Sequence, residues 1–246
     1  MRPMPSLSLP GHLIWFAHCP KAGGTSIERL MVETWGPAVG HLHWGWDLWW
    51  RRGGWREAGV PNSPQHLVWR DARNALPRAP DTVFALVRDP LRRMESEHRW
   101  QRSRRRGTIL GKALACLPFS LWLRIMLTLA ARNPHAFDNH FRPQTDFIPE
   151  GAVVFRLEDG LAQVADWLGR RAGQRLAPPP HVLATTRHGT DRDPRDVALV
   201  KQVFAADYAR FGYGPPALTT PDRPLLDVLA RLSGRGLVWL DSRGSL

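Results

Sequence analysis

Cysteine is nearly absent from this sequence, and so is any long uninterrupted apolar run. Two cysteines among 246 residues exclude a disulfide framework, and nothing resembles the spacing of a Cys/His metal site. The N-terminal MRPMPSLSLPGH has prolines where a secretion signal needs an apolar core, so we predict a cytoplasmic protein. The most apolar stretch, 113–131, contains Pro118 and Arg124. This composition argues against a spanning helix and leaves peripheral membrane contact open.

Acidic residues are also few relative to basic ones. Lys and Arg number 34 against 22 Asp and Glu, for a formal net charge of +12. Such a field attracts nucleotides, sulfated or phosphorylated sugars, nucleic acid or an anionic membrane surface, and charge alone does not choose among them. The length suits one sizeable domain. We predict that domain at residues 1–214, with 215–246 as an appendage that is not a separate domain.

Short apolar runs followed by helical patterns recur along the chain. LIWFA at 13–17, TVFALV at 82–87 and a weaker run at 152–157 have the length of buried parallel strands. The order of strand and helix predicts an α/β fold, with a parallel sheet and helices on both faces in three layers. Residues 101–144 are expected to be less regular. A last amphipathic helix, through Val200 and Tyr208, is predicted to end near Gly212.

The first strand leads into a loop, Pro20–Ser26, that is rich in glycine and hydroxyl groups. A helix is predicted to follow it, with Thr25 and Glu28 as a possible capping box. Backbone N–H groups at a helix N-terminus favour a phosphate, and Lys21 adds a point charge. The Walker A spacing is absent because the lysine precedes the glycines. The pattern therefore predicts a phosphate site that differs from those of common kinases and ATPases.

A second motif, Val-Arg-Asp-Pro at 87–90, follows the second strand. Arg88 stands at the carboxyl end of that strand, where open α/β sheets bind ligands, and its side chain suits a phosphate. Asp89 is predicted to cap a helix that begins at Pro90. Ser96, about two turns into this helix, can add a hydroxyl donor.

Several segments resemble sulfotransferases. HCPKAGGTSI at 18–27 is similar to the 5′-phosphosulfate loop of that family, and LVRDPLRRMESEHRW at 86–100 to its 3′-phosphate-binding strand and helix. DNHFRPQ, VFRLEDG and DYARFGY resemble further segments of the family-2 type, which includes bacterial and carbohydrate sulfotransferases. The resemblance spans about residues 12–214. One departure is Ala22, where the family commonly has threonine.

The resemblance implies a P-loop NTPase-like sulfotransferase fold and the donor 3′-phosphoadenosine 5′-phosphosulfate (PAPS). It implies transfer of the sulfuryl group to a hydroxyl or amine of an acceptor, such as a carbohydrate, a lipid-linked glycan or a small molecule. Neither a metal nor a nucleic-acid partner is expected. The residues implied to hold the donor are Pro20, Lys21, Ala22, Gly23, Gly24, Thr25, Ser26, Arg88 and Ser96.

In-line transfer also needs a base. His41 and His43 are the first candidates, since a histidine in this region serves as the base in glycan-type relatives. The alternative for this pair is two loop histidines without a catalytic part. His140 is the reserve candidate, and its alternatives are to orient an acceptor or to satisfy a hydrogen bond in the core. His18 is expected to be structural. Lys21 is the candidate for neutralising charge on the leaving phosphate.

Three further features stay open between two interpretations. Arg187 either contacts the nucleotide or is solvated. The tryptophans within 44–55 either stack on a sugar or aromatic acceptor or pack a helix across the cleft. The basic run at 102–106 is either a solvated face or an anion-binding one. The rival functions are a kinase-like P-loop enzyme and a basic polyanion-binding protein with a degenerate loop.

Overall fold

The computed structural model describes residues 5–40, 62–76, 78–103, 109–179 and 193–213. These residues form two compact units. The sheet unit holds the described residues of Met1–Arg88 and Gln144–Thr185, and the helical unit holds those of Asp89–Pro143 and Thr186–Leu246. The chain thus leaves the sheet unit after Arg88 and re-enters it at Gln144.

A four-stranded sheet in the order β1-β2-β3-β4 organises the sheet unit. The strands are β1 (Ser6–Leu9), β2 (His12–His18), β3 (Thr82–Val87) and β4 (Val153–Arg156). β2, β3 and β4 are parallel, as predicted, and β1 pairs antiparallel with β2. The sequence does not predict β1, because a run of four residues in which serine alternates with leucine is too short to indicate a strand.

Helices follow the strands in the expected order. They are α1 (Gly24–Trp35), α2 (Trp69–Ala75), α3 (Pro90–Ser103), α4 (Ile109–Ala115), α5 (Phe119–Arg132), α6 (Ala162–Ala172), α7 (Pro194–Val203) and α8 (Ala205–Phe211). The α/β class predicted from the sequence is therefore present.

Helices of the sheet unit contact both faces of its sheet. Trp15 of β2 stacks on Trp69 of α2, with ring centroids 5.2 Å apart. Phe84 of β3 lies opposite Phe16 in the register, so it points to the face away from Trp15. There it meets Trp167 of α6 at 5.1 Å. This arrangement is compatible with three layers, α/β/α.

The helical unit has an apolar core of its own. Its buried members include Met94 of α3, Trp122 and Met126 of α5, and Val200 of α7. The expectation of irregular structure at 101–144 is therefore wrong for much of that stretch, which holds the end of α3, all of α4 and all of α5. The stretch combines helix formers with a buried apolar face, and burial stabilises such segments.

The apolar stretch at 113–131 is divided between two helices. Pro118 stands at the N-cap of α5, so α4 and α5 are separate elements. Arg124, within α5, is buried and forms an ion pair with Asp196 of α7. Among the described residues, no helix combines the length and apolar character that crossing a bilayer requires.

The last predicted helix is in fact two helices. Phe204, with φ −107° and ψ 31°, separates α7 from α8. Its side chain is fully buried in the helical core, and the Arg93 guanidinium lies over its ring at 5.1 Å. The predicted end at Gly212 is confirmed, since this glycine takes the left-handed conformation at φ 71°. Residues 215–246 lie outside the described part of the chain, so the prediction of an appendage stays a prediction.

Candidate functional site

The loop between β2 and α1 has the backbone of an anion-binding turn. Lys21 and Gly23 have positive φ values of 66° and 89°, while Ala22 between them does not. Alternation of this kind turns successive N–H groups toward one concave side, which suits an anion. A left-handed lysine is costly, and such strain is typical of functional loops. Gly23 is also the N-cap of α1, so the positive end of this helix adds to the same site.

Two glycines let this loop approach its surroundings closely. A Cβ on Gly23 would lie 2.9 Å from a methyl carbon of Leu157, the residue after β4. A Cβ on Gly24 would lie 2.3 Å from Nε2 of His18. A side chain at either position would therefore clash with a neighbouring residue, which explains why both are glycine. The sequence motif alone does not show this.

His18, at the end of β2, lies beneath the loop. It is buried, and its Nδ1 lies 2.7 Å from the Glu28 carboxylate, which is also buried. The amide of Gln65 lies 3.2 Å from the same nitrogen. The expectation that His18 is structural agrees with these contacts. The predicted capping box is wrong, because Glu28 pairs with His18 and the N-cap is Gly23 in place of Thr25.

Arg88 contacts the loop directly. It follows the last residue of β3, and its Nη1 donates to the backbone oxygen of Lys21 at 3.3 Å. β2 and β3 are parallel neighbours, so both residues lie at the carboxyl edge of the sheet. The structure thus brings together Lys21 and Arg88, which sequence reasoning placed in two separate motifs. Two cations and a row of N–H groups at one edge can hold a dianionic group.

Gln144 is the functional candidate that sequence reasoning missed. Its side-chain amide makes two hydrogen bonds with the backbone of Arg88, and the whole residue is buried. The only sequence signal was its position at the end of the DNHFRPQ segment. A glutamine in a short turn has no periodicity, so the sequence did not indicate its partner.

Ser96 belongs to the helical unit, on α3, where it is half-buried. The predicted start of that helix is confirmed, since Asp89 Oδ1 accepts a hydrogen bond from the Arg92 N–H at 2.9 Å. The role of Ser96 in binding a 3′-phosphate stays a prediction.

His140, also in the helical unit, pairs with a buried carboxylate. Its Nδ1 lies 2.8 Å from Oε2 of Glu97, a fully buried residue of α3. A carboxylate in this position orients the imidazole. The chain reaches His140 through three residues with positive φ, namely Phe137, Asp138 and Asn139. Left-handed backbone at three successive non-glycine residues is costly, so packing must hold this turn in place.

The remaining candidates lie outside the described residues. These are His41, His43, Arg187 and the tryptophans within 44–55. Of the basic run at 102–106, only Arg102 and Ser103 are described. Their predicted roles stay predictions.

Comparisons with protein-family models, with curated proteins and with solved structures found no match to this chain.

Proposed function

We propose that this protein is a PAPS-dependent sulfotransferase with a P-loop-like sheet, and that it acts by in-line transfer. The observation that carries the proposal is the contact between Arg88 and the Lys21 loop at the carboxyl edge of parallel strands. It supports an anion site made from two motifs whose order and spacing are similar to those of sulfotransferases. The close approach of Gly23 to Leu157 and of Gly24 to His18 also supports the proposal, because it shows a loop backbone packed tightly at the edge of the sheet.

The roles follow from charge and position. The loop N–H groups and Lys21 hold the 5′ side of the donor, and Lys21 neutralises charge on the departing phosphate. Arg88 holds the 3′-phosphate with its planar donors. The acceptor is a hydroxyl or amine compound, and a carbohydrate is the class that the resemblance favours.

The base is one of three histidines. His140 has a carboxylate, Glu97, that orients it, and this pairing supports its candidacy beside His41 and His43. Once an acceptor is found, loss of turnover with nucleotide binding retained in one of the three alanine variants would identify the base.

Nucleotide selectivity tests the proposed donor. We expect 3′-phosphoadenosine 5′-phosphate to raise the unfolding temperature well above the effect of ATP, because ATP lacks the 3′-phosphate. At a ligand concentration about 100 times Kd, the stabilisation is about 2.7 kcal/mol. Lys21→Ala and Arg88→Ala should remove most of this response in a thermal unfolding assay.

Lys112→Ala and Arg132→Ala are matched controls, since both residues are exposed and lie on helices of the helical unit. Both variants should respond to the nucleotide as the wild type does. An equal response of the wild type to ATP would favour a kinase-like enzyme. A response only to polyanions such as heparin would favour a polyanion-binding protein.

A further inference from the structure

Gln144 completes the hydrogen bonding of the Arg88 backbone. The Arg88 N–H donates to Oε1 of Gln144 at 2.9 Å, and Nε2 of Gln144 donates to the Arg88 carbonyl at 2.8 Å. One side-chain amide thus satisfies both polar groups of one residue, as a neighbouring strand does in a sheet.

This pairing begins where the sheet ladder stops. The last residue pair between β3 and β4 is Val87 with Arg156, and the last between β2 and β3 is His18 with Leu86. Arg88 is the residue that follows β3. Gln144 therefore continues the backbone pairing for one residue beyond the ladder. That residue is Arg88, whose side chain contacts the Lys21 loop.

Gln144 also contacts the residue that follows β2. Its backbone oxygen is the acceptor for the Cys19 thiol at 4.0 Å, a weak contact. Gln144 is fully buried and Arg88 is half-buried. Loss of the two bonds would leave the backbone N–H and carbonyl of Arg88 without these partners.

We infer that Gln144 is a positioning residue, whose amide fixes the Arg88 backbone so that the guanidinium meets the Lys21 loop and binds the 3′-phosphate. The inference deepens the proposed function and rests on it. A merely structural glutamine would affect the affinity of every nucleotide alike, or none. A positioning glutamine affects the part of the affinity that comes from the 3′-phosphate.

The experiment compares two nucleotides that differ only in that phosphate. Calorimetry gives Kd for 3′-phosphoadenosine 5′-phosphate and for adenosine 5′-phosphate, and their ratio isolates the Arg88 contact. Gln144→Met keeps nearly the same shape and removes both hydrogen bonds. We expect it to lower the preference for the 3′-phosphorylated nucleotide about tenfold, toward the value of Arg88→Ala. The affinity for adenosine 5′-phosphate should stay near that of the wild type.

Gln163→Met is the matched control. Gln163 also donates its amide to backbone oxygens of the sheet unit, those of Arg156 and Gly160 at 3.4 and 3.3 Å. Its variant should keep the full nucleotide preference.

Each outcome decides the inference. An unchanged preference in Gln144→Met overturns it. If that variant does not fold, Gln144→Glu decides, because its carboxylate still accepts from the Arg88 N–H but has no donor for the carbonyl when ionised. We expect Gln144→Glu to lose part of the preference, and full preference again overturns the inference. A wild type that binds both nucleotides equally overturns the proposed function, and with it the positioning role.

Discussion

The imidazole of His18 occupies the space where any side chain at Gly24 would begin. Because His18 is buried and held by Glu28, it cannot move aside without breaking that pair. Gly24→Ala should therefore destabilise the fold by about 1–3 kcal/mol, the range for overpacked sites. It should also displace the loop and weaken nucleotide binding. Urea unfolding and calorimetry measure the two effects.

A double-mutant cycle with His18→Ala checks the cause. If the imidazole is what excludes the methyl group, the destabilisation by Gly24→Ala should shrink when His18 is absent. Equal costs in both backgrounds would show that the strain arises elsewhere in the loop.

Sequence reasoning found the charged residues of the candidate site but not the buried ones that arrange them. Lys21 and Arg88 were identified from motif and position. Gln144 and the partner of His18 were not, because their roles depend on contacts across many residues of sequence. The local spacing predicted that Glu28 caps a helix. In the structure its carboxylate instead makes a tertiary contact with the buried His18.

At the scale of elements, two adjacent residues before α3, Arg88 and Asp89, have different roles. Asp89 accepts from the Arg92 N–H, whereas Arg88 contacts the loop. Asp89→Ala should lower the free energy of unfolding by about 1 kcal/mol, the usual cost of a lost cap. Its nucleotide affinity should stay near the wild-type value. Denaturant unfolding and calorimetry separate these effects.

Arg88→Ala is the comparison for that variant. It should weaken binding of the 3′-phosphorylated nucleotide and change stability less than Asp89→Ala does. A large loss of affinity in Asp89→Ala would mean that its carboxylate also acts in the site.

Strands with continuous apolar runs were predicted closely, since β3 spans Thr82–Val87 as expected. The failures lie where tertiary packing decides. The helix breaks at Phe204, whose ring is buried in the core of the helical unit. The amphipathic pattern of the sequence gives no local signal of this break. The short strand β1 is defined by its pairing with β2 and not by its own sequence.

At the scale of the whole molecule, stability should depend on pH through His98 in the helical core. Burial of its imidazole lowers the pKa of His98 below the ordinary value, and Arg102 and Arg99 nearby act in the same direction. The unfolded chain then takes up a proton more readily than the folded one. The contribution of His98 to stability is therefore fully present above about pH 6.5 and is lost as pH falls through the folded pKa.

His98→Gln tests this dependence. The glutamine amide can still donate to the Leu117 carbonyl, which lies 3.0 Å from Nε2 of His98. We expect unfolding free energies, measured in urea between pH 7.5 and pH 5 (~2.5 pH units), to fall less steeply in the variant than in the wild type. Parallel curves would show that other groups dominate this range.

The pairing of Arg88 with Gln144 has a consequence for the order in which the protein is made. The two residues are 56 positions apart, and the segment between them forms much of the helical unit. On the ribosome, at about 5–20 residues per second, Arg88 therefore emerges several seconds before its partner and before β4. During that interval the nascent chain carries β1, β2, β3 and the Pro20–Ser26 loop, while the Arg88 backbone still lacks its hydrogen bonds to Gln144. We expect nucleotide capture to begin only after translation has passed β4.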